Sequence, residues 1–187
     1  MTRFPLILAA LFLIAPVSAQ VATTNAQTRP APSTNQPVKA PSPITLVASN
    51  GVIIAPLYLT NGYLTQAGER TDGTDGGYAI FEFSITNAGD YVIHGTVSAP
   101  DEESNSFFLN IDEHPEDPTM IWDIVVAEEF EEQVVNWRGT GASGSDEFDP
   151  KVFKLTTGKH RLFIYGREPN AKLKSLSIRP YSPPPAK

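Results

Sequence analysis

Alternating apolar and polar residues run through most of the chain between Ile44 and Tyr181. In Tyr91–Ala99, apolar residues alternate along the chain with mostly polar ones, and Gly77–Ile85 shows the same period of two. This period places successive side chains on opposite faces of an extended chain and predicts half-buried β-strands. Further short runs rich in branched and aromatic residues are also predicted as strands, namely Phe107–Ile111, Met120–Val126, Val152–Leu155, Arg161–Tyr165 and Leu173–Ile178.

Turn-forming residues separate these predicted strands. Asn87–Asp90 and Thr156–Lys159 each place a glycine where a positive φ costs little. Longer loops rich in glycine and aspartate are predicted at Asp72–Gly77 and Gly139–Asp149. Ala127–Gln133, with its two pairs of glutamates, fits a short helix as well as it fits a strand or a loop. Short strands with frequent turns predict an all-β sandwich or barrel.

The N-terminal part of the chain has a different composition. Residues 1–19 are predicted to be a secretory signal peptide, because Arg3 precedes an apolar stretch and Val17-Ser18-Ala19 forms a small-residue cleavage site before Gln20. An uncleaved anchor is the alternative, although the apolar stretch is short for a membrane span. We therefore expect a secreted or periplasmic protein with no membrane span after cleavage.

The remaining boundaries follow from proline content. Residues 20–43 are predicted to be a disordered, proline-rich linker, since such a stretch cannot bury enough apolar surface to fold. The linker is either a tether for the folded domain or a leader without a task of its own. The β-sandwich domain is predicted at residues 44–181, and a short proline-rich tail at residues 182–187.

Charge and composition exclude several classes of function. The chain has a net charge of −7 and no cysteine, which argues against nucleic-acid binding and excludes disulfides and thiolate metal sites. The three histidines have no metal-ligand spacing, and Ser143 does not lie in a nucleophile elbow. Residues 101–149 contain 15 acidic residues, but no pair stands out as the two carboxylates of a glycosidase. We therefore predict a protein that is not an enzyme and needs no cofactor or metal.

Four pieces of the sequence together resemble the galactose-binding-like jelly-roll domains that serve as carbohydrate-binding modules. The pieces are Gly89–Ile93 with Val97–Pro100, then Asn105–Phe108 with Asp112, then Trp122 and Trp137, and finally Gly158–Ile164 with Arg167-Glu168 and Leu173–Ile178. The resemblance implies a β-sandwich of the jelly-roll type and a non-catalytic module that binds a polysaccharide or another glycan.

Four residues are candidate glycan contacts on this reading. Trp137 and Trp122 could offer aromatic faces to a sugar ring, while Arg138 and Asn105 could bind its hydroxyls. Three of them have a structural alternative: either tryptophan could fill the core, and Asn105 could cap the start of a strand. Arg167-Glu168 could be a sugar-binding pair, but the preferred interpretation is an internal ion pair that joins two strands.

The sequence departs from the resembled family at a structural calcium site. Many of these modules open with Glu-Ala-Glu and carry an Asp in the last strand, whereas this chain has Val47-Ala48-Ser49 and Lys174. Calcium requires several oxygen ligands, usually including carboxylates, so we expect no calcium here and Lys174 in the place of the metal. The absence of these calcium ligands also favours a second possible function, that of a structural or protein-interaction domain of the cell envelope. Exposed tryptophan rings would favour glycan binding, and buried ones the interaction domain.

Overall fold

The computed structural model describes residues 42–73, 75–138 and 149–183. The predicted signal peptide at residues 1–19 lies outside the described residues, as does the linker up to residue 41. The same holds for residues 139–148 of the predicted loop, which include Ser143, and for residues 184–187 of the predicted tail.

Short strands account for nearly all of the regular structure in these described ranges. One 3₁₀ turn, Ala48–Asn50, follows the first strand. The strands are β1 (Ile44–Val47), β2 (Val52–Ile54), β3 (Leu57–Thr60), β4 (Tyr63–Gln66), β5 (Tyr78–Ile85), β6 (Gly89–Ala99), β7 (Ser106–Ile111), β8 (Ile121–Asp123), β9 (Ala127–Val134), β10 (Phe153–Leu155), β11 (Gly158–Gly166) and β12 (Lys172–Pro180).

The strands pair into two antiparallel sheets. One sheet has the order β10-β6-β12-β4-β3, with β9 also beside β6 and β1 also beside β12. The other sheet has the order β2-β5-β11-β7-β8. Non-sequential neighbours such as β6 and β12 bring together residues that are far apart in the chain, which is typical of a jelly roll.

The core lies between the two sheets and follows the predicted alternation. Phe81, Phe83 and Ile85 of β5 are buried, whereas Glu82 and Ser84 between them are exposed. Ile93 and Val97 of β6 belong to the same buried cluster, which includes side chains from both sheets. Burial of one face of each sheet supplies the main stabilisation of such a fold. The predicted all-β sandwich is therefore confirmed.

The structure decides two local expectations. Of the three alternatives for Ala127–Gln133, the strand is the one formed, since this stretch belongs to β9 and pairs with β6. Gly158 has the expected positive φ of 132° and begins β11, but Gly89 does not adopt a positive φ and simply begins β6. Asn61 and Gly62, with φ values of 47° and 80°, form the two-residue turn between β3 and β4.

Candidate functional site

A cleft of about 650 Å³ opens at one end of the sandwich, where three loops meet. Its walls come from Gly68–Arg70 after β4, Asp101–Ser104 between β6 and β7, and Glu168–Asn170 between β11 and β12. The three segments are far apart in the sequence and meet because β12 lies between β4 and β6 in one sheet, while β7 and β11 are neighbours in the other.

The loop between β6 and β7 is held by its own first residue. The Oδ1 atom of Asp101 accepts the backbone N–H of Glu103 at 3.1 Å, and the carbonyl of Asp101 accepts the N–H of Ser104 at 3.3 Å. Aspartate favours such local side-chain-to-backbone bonds, which stabilise turns. The turn leaves Glu102 and Glu103 exposed and directs Ser104 inward, where it is buried.

A buried ion pair lies beneath the cleft, and its Glu168 member forms the floor. Arg167 and Glu168 are only 2% and 3% exposed, and the guanidinium of Arg167 donates to the carboxylate of Glu168. Arg167 also donates to Ser106 Oγ at 2.5 Å, and Ser106 Oγ in turn donates to Glu168 Oε2 at 2.6 Å. Glu168 Oε2 accepts the backbone N–H of Asn105 at 3.0 Å as well. Since every partner is satisfied, these side chains are fixed in position.

This network decides between the two interpretations of Arg167-Glu168. Both groups are occupied with each other and with the start of β7, so the pair joins the end of β11 to β7 as an internal ion pair. Burial lowers the pKa of Arg167, and the neighbouring carboxylate of Glu168 acts in the opposite direction. Glu168 nevertheless lines the cleft, so its carboxylate contributes to the polarity of the floor.

Arg70 is the exposed basic residue of the cleft wall. Its Nε atom lies 3.9 Å from Glu168 Oε1, beyond ordinary hydrogen-bond length, and its side chain is 64% exposed. An exposed pair at this distance is worth little and is easily rearranged. Arg70 can therefore turn towards a ligand without breaking the buried pair below it.

Arg138, one of the predicted contacts, lies next to this floor. Its Nε and Nη2 atoms donate to the two carboxylate oxygens of Asp123 at 2.7 and 2.6 Å. Asp123 is buried and lies opposite Ser106 in the β7–β8 ladder. The structure thus brings Arg138 and Asn105 to the same end of the sheet, with most of the guanidinium already used by Asp123.

Trp122 lies in the core, where it has no face available to a ligand. Its side chain is 0% exposed, its ring packs against Phe107, and its Nε1 donates to the carbonyl of Val134 at 3.1 Å. Gly95 on the neighbouring sheet leaves the space that the indole fills, since a Cβ there would come within 2.3 Å of the ring. The prediction of Trp122 as a glycan contact is therefore corrected to a core role.

Trp137 is half-buried at the margin of the core. Its Nε1 donates to the carbonyl of Leu109 at 2.9 Å, and its ring meets Phe153 edge-on with centroids 5.7 Å apart. The ammonium of Lys151 lies 3.8 Å from the centroid of the indole ring. Burial lowers the pKa of this ammonium, which indicates that it packs closely on the ring. A sugar could stack on that face only after Lys151 moved away.

Lys174 does not fill an interior metal position. Its side chain is exposed, and its ammonium lies 5.6 Å from the centroid of the Phe130 ring. Ala48, in the segment that matches the family's opening strand, is buried. Within residues 42–73, 75–138 and 149–183, no group of three or more His, Asp or Glu side chains could hold a metal ion.

Sequence reasoning missed the contribution of Gly68–Arg70 to the cleft. Glu69 and Arg70 carry no motif, and they lie about 100 residues from Glu168, so no local pattern could join them. The one available signal was the glycine, since Gly68 has a φ of 89° and turns the chain after β4 towards the cleft.

Comparison with known proteins gives matches in structure but none in sequence. No protein-family model matches the chain, and no curated protein matches its sequence.

In the described ranges, no helix has the length and apolar character needed to cross a membrane.

Many solved structures match this fold, and three of them illustrate the similarity. A family 35 carbohydrate-binding module from Clostridium thermocellum is 13% identical, with a TM-score of 0.53 over 75% of this chain and 100% of that one. A GH26-CBM35 β-(1,4)-mannanase from Podospora anserina is 13% identical, with a TM-score of 0.52 over 76% of this chain and 28% of that one. The mannan-binding module of Man5C is 17% identical, with a TM-score of 0.50 over 74% of this chain and 99% of that one. The predicted β-sandwich is thus confirmed as a fold that this chain shares with carbohydrate-binding modules.

Proposed function

We propose that this chain is a secreted, non-catalytic module that binds a glycan in the loop-end cleft. The observation that carries the proposal is the cleft itself, a concave opening at the rim of a β-sandwich with the carboxylate of Glu168 at its floor, held in position from below by Arg167 and Ser106. Fixed polar groups at the base of a cleft are what a small polar ligand requires for orientation. The shared fold with carbohydrate-binding modules supports this choice of ligand.

Hydrogen bonding would supply most of the affinity. None of the described residues that line the cleft is aromatic, so ring stacking contributes little at this position. A few hydrogen bonds from Arg70, Asn105 and the loop backbone would give weak binding, and a millimolar dissociation constant corresponds to about −4 kcal/mol. Weak single sites are useful on polymers, because a repeating ligand offers many equivalent positions.

Two of the four residues predicted from the sequence remain in the proposed site. Asn105 follows the cleft wall directly and is anchored through its own N–H to Glu168. Arg138, 19% exposed in its side chain, is a contact at the margin beyond Asp123. Trp137 would contribute only if Lys151 left its ring, and Trp122 is excluded by burial.

The test is a binding screen of the secreted protein against insoluble and soluble polysaccharides, followed by titration calorimetry on the best ligand. We expect Arg70→Ala to weaken binding several-fold with the thermal midpoint unchanged. Arg161→Ala, which removes an exposed arginine from a different cleft, is the matched control and is expected to bind normally. Equal affinities of the two variants would exclude the loop-end cleft.

The second candidate function is a structural or protein-interaction domain of the envelope. The burial of Trp122 favours it, because an interaction domain does not need an exposed tryptophan ring for sugar binding. A screen in which no polysaccharide binds would reject the glycan proposal in its favour. Secretion is tested separately by the mass of the exported protein, which we expect to begin at Gln20.

A further inference from the structure

Carboxylates dominate the lining of the loop-end cleft. The described residues that line it include five acids, Glu69, Asp101, Glu102, Glu103 and Glu168, and one base, Arg70. The charge of Glu168 is balanced by Arg167 in the floor. The remaining acids lie on the walls and are exposed, so they set the potential that an approaching ligand meets.

Arg70 offsets only one of the four exposed acidic charges of the walls. Its guanidinium is largely exposed and remains 3.9 Å from Glu168 Oε1, so it is held neither by the floor nor by a short bond to that carboxylate. Rotation of Arg70 away from Glu168 leaves that carboxylate fully paired with Arg167, Ser106 and the Asn105 N–H. Arg70 can therefore donate to a neutral sugar hydroxyl while the exposed carboxylates of the walls meet the charged groups of the ligand.

Electrostatic interactions determine selectivity in this cleft because ring stacking contributes little to binding. The described lining carries no aromatic ring, so neutral, cationic and anionic sugars of equal size would differ mainly in their electrostatic interaction with the walls. An ammonium group donates three hydrogen bonds and is attracted by carboxylates, whereas a uronate would be repelled by them.

We propose that the cleft selects its glycan by charge and takes amine-bearing sugars, of the glucosamine-oligomer type, in preference to neutral sugars and uronates. This inference rests on the proposed glycan-binding function and gives it a substrate class. Protonated amines on successive sugar units would meet Glu102 and Glu103 on one wall and Glu69 on the other.

Three ligands of equal length test the charge preference by calorimetry. They are a glucosamine hexamer, an N-acetylglucosamine hexamer that lacks the positive charge, and a galacturonate hexamer that carries a negative one. At low salt and a pH at which the amines are protonated, we expect the glucosamine hexamer to bind about tenfold more tightly than the acetylated one. Raising the salt to about 1 M should remove most of that difference, since the screening length then falls to about 3 Å.

A pair of charge-matched variants locates the effect. Glu102→Gln with Glu103→Gln should abolish the preference for the amine while leaving the thermal midpoint unchanged, since both side chains are exposed. Glu82→Gln with Glu113→Gln changes the net charge equally at the far end of β11, since Glu82 lies opposite Arg161 and Glu113 follows Asp112, which accepts the N–H of Arg161. Because Arg161 precedes Glu168 by seven residues at a rise of about 3.4 Å each, that control lies about 20 Å from the cleft and should keep the preference.

The outcomes separate this inference from the proposed function. Equal or tighter binding of the acetylated or galacturonate hexamer would overturn the charge preference and leave a glycan-binding module. An equal loss in both double variants would also overturn it, because the effect would then come from net charge alone. Failure of every hexamer, together with a negative polysaccharide screen, would reject both proposals.

Discussion

Arg167 and Glu168 are consecutive in the chain, yet their side chains form an ion pair with each other in the interior, closed by the hydroxyl of Ser106. Neighbours in a regular strand point to opposite faces, so this contact requires the chain to leave the strand geometry where β11 ends at Gly166. The ion pair therefore fixes the direction in which the β11–β12 loop continues towards the cleft.

Removing one charge of this pair should be costly. We expect Glu168→Gln to lower the free energy of unfolding by about 3 kcal/mol, because the buried guanidinium loses its counter-charge. Urea denaturation measures this difference. In a double-mutant cycle, Arg167→Met combined with Glu168→Gln should cost less than the sum of the single changes. Additive losses would show that the two charges do not interact.

Gly95 should be intolerant of any side chain. A Cβ at this position would lie 2.3 Å from Cη2 of Trp122, whose ring is fully enclosed and cannot retreat. We expect Gly95→Ala to destabilise the domain by about 1–3 kcal/mol through overpacking, measured by thermal or urea unfolding.

Gly89 provides the control on the same strand. A Cβ there meets only Tyr91 Cε2 at 3.9 Å, an ordinary contact, so Gly89→Ala should be close to neutral. If both variants unfolded alike, the loss would reflect glycine itself in β6 rather than the space for the indole.

His160 should make stability depend on pH. It is 7% exposed, its Nδ1 lies 2.7 Å from Asp112 Oδ2, and its Nε2 lies 2.9 Å from the carbonyl of Thr156, so both nitrogens face acceptors. Burial lowers the pKa of His160, but the bonds to Asp112 and Thr156 and the charge of Asp112 outweigh it, and the net pKa is raised above 6.5. Its contribution is therefore complete below about pH 6.5 and is lost as the pH rises through the raised value.

The measurement is the unfolding free energy of wild type minus His160→Gln between pH 5 and pH 9. We expect this difference to fall as the pH rises. His94 gives the opposite control, because burial and then Arg179 lower its pKa despite Glu132, so its contribution is lost as the pH falls. A flat difference for His160→Gln would mean that folding does not shift the pKa of His160, and a difference that rises with pH would mean that its imidazole stays neutral in the folded protein.

Trp137 should matter more for stability than for binding. Trp137→Ala removes the hydrogen bond to Leu109 and the contact with Phe153, and we expect a loss of about 2–4 kcal/mol in unfolding free energy. Since Lys151 covers the ring, glycan affinity at the loop-end cleft should change less than in Arg70→Ala. A large loss of glycan affinity in a folded Trp137→Ala protein would show that the indole of Trp137 does contact the glycan.

The strands were predictable because each buries one face, and burial leaves a period of two in the sequence. Gly77–Ile85 and Phe107–Ile111 were placed within one residue of β5 and β7 for this reason. Ala127–Gln133 was ambiguous because β9 lies at a sheet margin, where glutamates on both sides of Phe130 are exposed and no alternation is needed.

The site was less predictable, because its parts meet only through strand order. Nothing near Glu168 in the sequence indicates that Ser106 and Asn105 will bind its carboxylate, since that contact depends on β7 lying beside β11. Residue type alone was also insufficient, because a tryptophan can bind a sugar or fill a core. Trp122 can lie in the core only because Gly95 has no side chain, and the sequence gives no sign that these two residues meet.

The first and last strands lie side by side, with Ile44 opposite Ile178 and Val47 opposite Ser175. The cleft opens near the beginning of β12, next to Asn170, whereas β1 begins beside the other end of β12. A pull between a bound polymer and the chain that precedes Ile44 would act lengthwise along these two strands. Their hydrogen bonds would then share the mechanical load at once rather than open one after another, so the module would resist tension where it is attached.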